Sequence, residues 1–153
     1  MRRAFCTLVL LAMVGVSTAT AQDRADIEVT RQQLHADRQA IVAANLPLSE
    51  SQAAAFWPLY REYRAALAGL GDRTVAMITG YAAKYGSLTD ADSDAMLKEF
   101  LAIQNEKLKL QSKYVDRFKK VLPGTLVTRY YQIENKLDAI VNYELAAEIP
   151  LVQ

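Results

Sequence analysis

A single histidine, His35, and three alternating acids in Asp90-Ala91-Asp92-Ser93-Asp94 are the residues whose types could hold a metal. Neither group has the spacing of a metal site. His35 has no second imidazole or thiolate close in sequence to complete a coordination set. Any ion there would need carboxylates recruited from other helices. His35 follows Leu34 of an apolar stripe, so its expected place is the edge of that stripe. The aspartates resemble the opening of a calcium loop, which requires Gly at position six and Glu at position twelve. Ala95 and Leu101 stand there instead. These acids read better as first-turn residues held by the positive end of a helix dipole. Nucleophilic chemistry has no more support, because there is no Gly-x-Ser-x-Gly turn and no serine beside His35. No glycine-rich loop could cradle a phosphate. The other carboxylates fall beside Lys and Arg at the i,i+4 spacing of a solvated helix face. No catalytic residue, cofactor or metal is expected.

Aromatic residues offer a different kind of chemistry. Phe56, Trp57, Tyr60, Tyr63, Tyr81 and Tyr85 share one helical segment. Phe56, Tyr60 and Tyr63 lie on its apolar seam and read as core, whereas Trp57 is one position off it. Tyr130 and Tyr131 are adjacent and cannot both face inward. Trp57, Tyr130 and Tyr131 are therefore candidates for contacting partly folded chains, since tyrosine offers an apolar body with a polar tip. Singly exposed aromatics are also ordinary surface features, and that reading stands beside the first.

The elements that would position these residues are helices. Leu48-Ser49-Glu50-Ser51-Gln52 and Leu88-Thr89-Asp90-Ala91-Asp92 repeat one phrase. In it Ser49 or Thr89 accepts from the third N–H of a new helix, Gln52 or Asp92 reaches back to the cap's own N–H, and Leu48 or Leu88 staples onto the first turn. Four amphipathic helices follow from the periodicity. The first spans about residues 24–45, with Ile27, Leu34 and Ile41 every seven residues, and stops before Pro47. The second starts at Ser49 and steps through Phe56, Tyr60, Tyr63, Leu67, Leu70, Thr74, Met77 and Tyr81. Pro58 should kink it, Gly69 and Gly71 should bend or break it, and Gly86 should end it. The third covers residues 90–122, with a seam of Leu97, Leu101, Gln104, Leu108, Gln111, Val115, Phe118 and Leu122. The fourth runs from about residue 125 to 147 with Tyr130, Ile133, Leu137, Ile140 and Val141 as its stripe, and the apolar tail 149–152 should pack along the bundle. The expected fold is all-α without a β-sheet. A long antiparallel hairpin, closed by the short connection 86–88, carries two flanking helices.

The N-terminus reads as an export signal. Arg2 and Arg3 precede an uncharged apolar run of 13 residues, Ala4 to Val16, too short for the roughly 20 that span a bilayer. Ala19-Thr20-Ala21 fits a signal-peptidase site, so cleavage is expected between Ala21 and Gln22. Residues 1–21 are then a leader and 22–153 a single helical domain. Loss of Arg2 and Arg3 from 18 basic residues against 17 acidic ones leaves a net charge of −1, which gives no basic footprint for nucleic acid. The one cysteine, Cys6, lies in the leader, so the exported chain has neither disulfide nor thiol. Delivery to the periplasm without stable membrane insertion is expected.

With its leader, its two cap phrases and the long hairpin between them, the chain resembles the LTxxQ family of Spy- and CpxP-like periplasmic proteins. Ser49 stands where the family's first phrase has Thr, and Asp92 where its second has Gln. The segment 132–137 and the Ile149-Pro150-Leu151 ending suggest a subgroup apart from the founding members. The resemblance implies a homodimer of helical hairpins that holds client proteins without ATP, in chaperone or envelope-stress work. A second implied reading is a regulatory module that docks on one membrane sensor protein. A metal-responsive sensor is a third, with only Met77, Met96 and His35 available after the leader in place of the several His or Met-rich stretches of such relatives.

Overall fold

The hydrogen bonds of the two cap phrases open the two longest helices. The computed structural model describes residues 36–152. Residues 36–45 are helical (α1), followed by α2 (Glu50–Lys84), α3 (Asp90–Phe118) and α4 (Gly124–Glu148), and no strand occurs among the described residues. The protein is all-α. The chain divides into two units, Met1–Ile41 and Val42–Gln153, so the end of α1 from Val42 belongs to the second unit.

At α2 the amide of Gln52 donates to Ser49 Oγ (3.3 Å) and the amide of Ser49 donates to Gln52 Oε1 (2.9 Å). At α3 the amide of Asp92 donates to Thr89 Oγ1 (3.2 Å) and that of Thr89 to Asp92 Oδ2 (3.3 Å). Both phrases are thus reciprocal capping boxes, each satisfying donors that a helix start leaves open. Leu48 packs against the core and Leu88 is half-buried. Gly86 has φ 82°, the left-handed conformation that lets the chain turn from α2 into α3.

Helix α2 runs unbroken through Pro58, Gly69 and Gly71. Proline at 58 removes the N–H that would serve the Ala54 carbonyl, but both residues are exposed and water can take that role. A Cβ at Gly69 or Gly71 would meet nothing within 4 Å, so no close packing enforces a bend there. The expected break is therefore absent.

Interhelical ion pairs set the directions of the helices. Glu62 to Arg117, Arg73 to Glu99 and Glu106, and Lys84 to Asp92 run in opposite senses along α2 and α3, so the two form an antiparallel hairpin. Lys107 Nζ meets Asp138 Oδ2 at 2.8 Å, which lays α4 antiparallel to α3. Arg64 to Glu134, and the Tyr81 hydroxyl donating to the Pro150 carbonyl at 2.9 Å, keep α4 parallel to α2. The tail is thereby held at Pro150, while Leu151 and Val152 remain exposed.

The core lies at the end of the hairpin where α2 begins and α3 ends. Val42, Leu46, Phe56, Leu59, Tyr60, Tyr63, Tyr114, Phe118, Leu122, Val127 and Tyr130 form one buried cluster. It is largely aromatic: Phe118 stands 5.4 Å from Phe56 and 4.9 Å from Tyr130 between ring centroids, within the range where tilted and edge-on rings attract. Toward the Gly86 turn the buried side chains thin out to Tyr81 and Ile103, and ion pairs take over the contact between the helices.

Candidate functional site

Three groups of residues could do something beyond holding the fold: the acids that open α3, the aromatic cluster, and the outward face of α3. Their environments separate them.

The acids that open α3 are structural. Asp92 closes the capping box and pairs with Lys84; the Lys84 ammonium, then the Thr89 hydroxyl and amide, hold its carboxyl down at about 2. Asp90 and Asp94 are exposed. Among the described residues no group of three or more His, Cys, Asp or Glu is placed to hold an ion. His35 and the cleavage pair Ala21 and Gln22 lie outside the described residues.

The aromatic candidates do not present a binding face. Tyr130 is 0 % exposed, in the middle of the core, with its ring 5.2 Å from that of Phe56. A side chain without solvent exposure cannot meet a client, so the expectation for Tyr130 is corrected. Burial pushes its hydroxyl well above the usual tyrosine range and that of Tyr63 to about 12. Trp57 and Tyr131 are half-buried and pack against the same cluster; the Tyr131 hydroxyl donates to the Gln111 carbonyl at 3.2 Å. Adjacent Tyr130 and Tyr131 both turn inward because α4 lies beside α2 and α3 at once. Next to these rings Arg64 Nη1 meets Glu134 Oε2 at 3.3 Å, an ion pair whose side chains are 18 % and 7 % exposed.

Nearer the surface, Arg117 Nη2 donates to Glu62 Oε2 at 2.6 Å and the Tyr114 hydroxyl to Glu62 Oε1 at 2.9 Å. These bonds, Arg117 first, lower the Glu62 carboxyl to about 2, and the Arg117 guanidinium also sits 4.8 Å above the Tyr114 ring. The group is an interhelical clasp that joins α2 to α3. Further along the hairpin, Met77 and Met96 share a groove of about 340 Å³ between α2 and α3, closed at its ends by the Arg73–Glu99 and Lys84–Asp92 pairs.

The largest departure from the sequence pattern is on α3. Leu97, Leu101 and Leu108, expected on the inward seam, are 58, 57 and 62 % exposed, and Phe100 beside them is 43 % exposed. The inward face of α3 is instead Met96, Ile103 and Leu110, seven residues apart, with Tyr114 and Phe118 beyond. Glu99 and Glu106 stand on the flank of that face and both bond Arg73, at 2.7 and 2.6 Å. A count of apolar residues misses a seam flanked by ion pairs, so the leucine row outscored it. The signal in the sequence was the second heptad of Met96, Ile103 and Leu110.

No family model matches this chain, and no curated protein and no solved structure matches it either. The site has to be read from its own surface. Leu97, Leu101 and Leu108, on one helix face, are apolar side chains that this fold leaves uncovered. No helix among the described residues is long and apolar enough to cross a membrane.

Proposed function

We propose that this chain is an exported, non-enzymatic binding protein that holds partly folded proteins of the bacterial envelope. The observation that carries the reading is the row Leu97, Leu101 and Leu108, each more than half exposed on α3. Uncovered apolar rows of this kind on a folded surface mark interaction sites. Its support from the sequence is the leader ending at Ala21 and the resemblance of both cap phrases to the LTxxQ family. Holding needs no nucleotide and no catalytic group, only a surface that gains by covering a client's apolar segments.

The test is suppression of aggregation. The chain, expressed from Met1 and purified in the form that accumulates, is added without ATP to a refolding client, and light scattering is followed against molar ratio. Suppression near stoichiometric ratios, absent with an inert helical protein, is the expected result. No suppression at several-fold excess sinks the general-holder reading and turns the search to a single membrane partner.

A further inference from the structure

The sequence after residue 21 contains no cysteine and two methionines, Met77 and Met96, and the fold brings both to the groove between α2 and α3. Each is half-buried. Ala76, Gly80 and Ala95 line the groove beside them and leave it open. Its volume of about 340 Å³ is many times a water molecule's share of the liquid, about 30 Å³, so a solute little larger than water can enter. Among the described residues of α3 before Ile103, Met96 is the only large apolar side chain that is not exposed; Leu97, Phe100 and Leu101 all are. The stretch 90–102 therefore has one large apolar side chain with which to hold α2. The groove's two cations are already engaged, Arg73 with Glu99 and Lys84 with Asp92.

We propose that Met77 and Met96 form an oxidation site at which a peroxide loosens the Gly86 end of the hairpin. The chemistry is a two-electron oxygen transfer. A thioether lone pair attacks one peroxide oxygen, and the S–O bond forms as the O–O bond breaks. The departing hydroxide takes the proton of the transferred oxygen and leaves as water. Sulfur is oxidised to the sulfoxide and the peroxide is reduced. A pliable apolar side chain has become a polar one. The sulfoxide oxygen then needs a donor. In this groove it either draws Arg73 or Lys84 from its carboxylate or parts the helices to admit water, and both weaken the contact between α2 and α3. Gap filling is the other use of methionine at a helix contact, and leucine serves it nearly as well. Filling is the weaker account here, because the space beside both methionines stays open. The effect on the hairpin does not depend on the holding function above.

The experiment treats the purified chain with hydrogen peroxide and locates the added oxygen by peptide mass spectrometry. Met77 and Met96 are expected to be oxidised while the chain is folded. The oxidised chain should keep its helical circular dichroism and melt at a lower temperature. Its amides at 90–102 should exchange with deuterium about ten-fold faster or more. Methionine sulfoxide reductases A and B, added together, should restore both properties. Met77→Leu/Met96→Leu conserves volume, so it should melt like the unaltered chain and lose the response to peroxide. Oxidation of these methionines only in urea overturns the proposal, as does an oxidised chain whose melt and exchange are unchanged. An equal peroxide response in the double leucine variant assigns the effect to other residues and overturns it too. Loss of the helical signal on oxidation would mean that the whole fold collapses rather than one end of the hairpin loosening, and refutes the switch.

Discussion

Leu101 and Ile103 are two residues apart on α3, similar in size, and should respond very differently to truncation. Ile103 is 4 % exposed and Leu101 57 %. Ile103→Ala removes buried carbons and leaves a cavity, a change that costs about 2–5 kcal/mol. A middle value of about 3 suits a side chain on the inner face. Burying a whole leucine is worth about 1.5–3 kcal/mol, and Leu101 realises less than half of that, so Leu101→Ala loses at most about 1 kcal/mol. Alanine's better helix propensity returns a few tenths. Urea unfolding followed by circular dichroism reads both. With a slope near 2 kcal/mol/M, Ile103→Ala should lower the midpoint by about 1.5 M and Leu101→Ala by under about 0.5 M, with slopes unchanged. Equal losses at every protein concentration would mean that Leu101 is inside the monomer and the rotation of α3 is wrong. A Leu101→Ala loss that grows with protein concentration would mean that a second copy covers the row.

Glu134→Leu alone should destabilise by about 2–3 kcal/mol, because Arg64 keeps its charge with little access to water, and Arg64→Met added to it should bring stability back to within about 1 kcal/mol of the original; a double variant as weak as the sum of the singles refutes this. Gly71→Ala, exposed in a helix interior where a Cβ meets nothing within 4 Å, should stabilise by about 0.5–1 kcal/mol in a thermal melt, and a loss would reveal a bend that needs glycine. Glu62 has a folded-state pKa near 2, below its unfolded value, so the unfolded chain binds the proton first. Its contribution is complete above about pH 4.5 and disappears as pH falls toward 2. Glu62→Gln should flatten that limb of the stability curve without erasing it, since Asp92 is lowered to about 2 as well.

The helices were legible because their punctuation is chemical. Ser49 with Gln52, Thr89 with Asp92, and Gly86 are local devices that act within a turn, so sequence alone exposes them. The α2 seam was legible for a related reason: Phe56, Tyr60 and Tyr63 are large, apolar and buried, and periodicity reads such residues directly. The rotation of α3 was not, because Glu99 and Glu106 look like surface residues until Arg73 is brought to them from a helix 26 to 33 positions away. Tyr130 and Tyr131 failed in the opposite direction. A helix with two neighbours can bury two adjacent positions, and one stripe per helix does not allow for that. Gly69 and Gly71 were expected to bend or break α2, yet the helix runs continuously through both.

The uneven distribution of buried side chains along the hairpin has a kinetic side. Backbone amides in the aromatic half should exchange with deuterium only through global unfolding, since releasing them exposes the whole cluster around Phe118. Amides of residues 65–80 and 90–102 sit where no residue is fully buried and ion pairs join the helices. They should exchange through smaller openings of the Gly86 end, faster at high salt. The hairpin then behaves as tweezers hinged in its aromatic half, and the row beginning at Leu97 rides on the arm that moves.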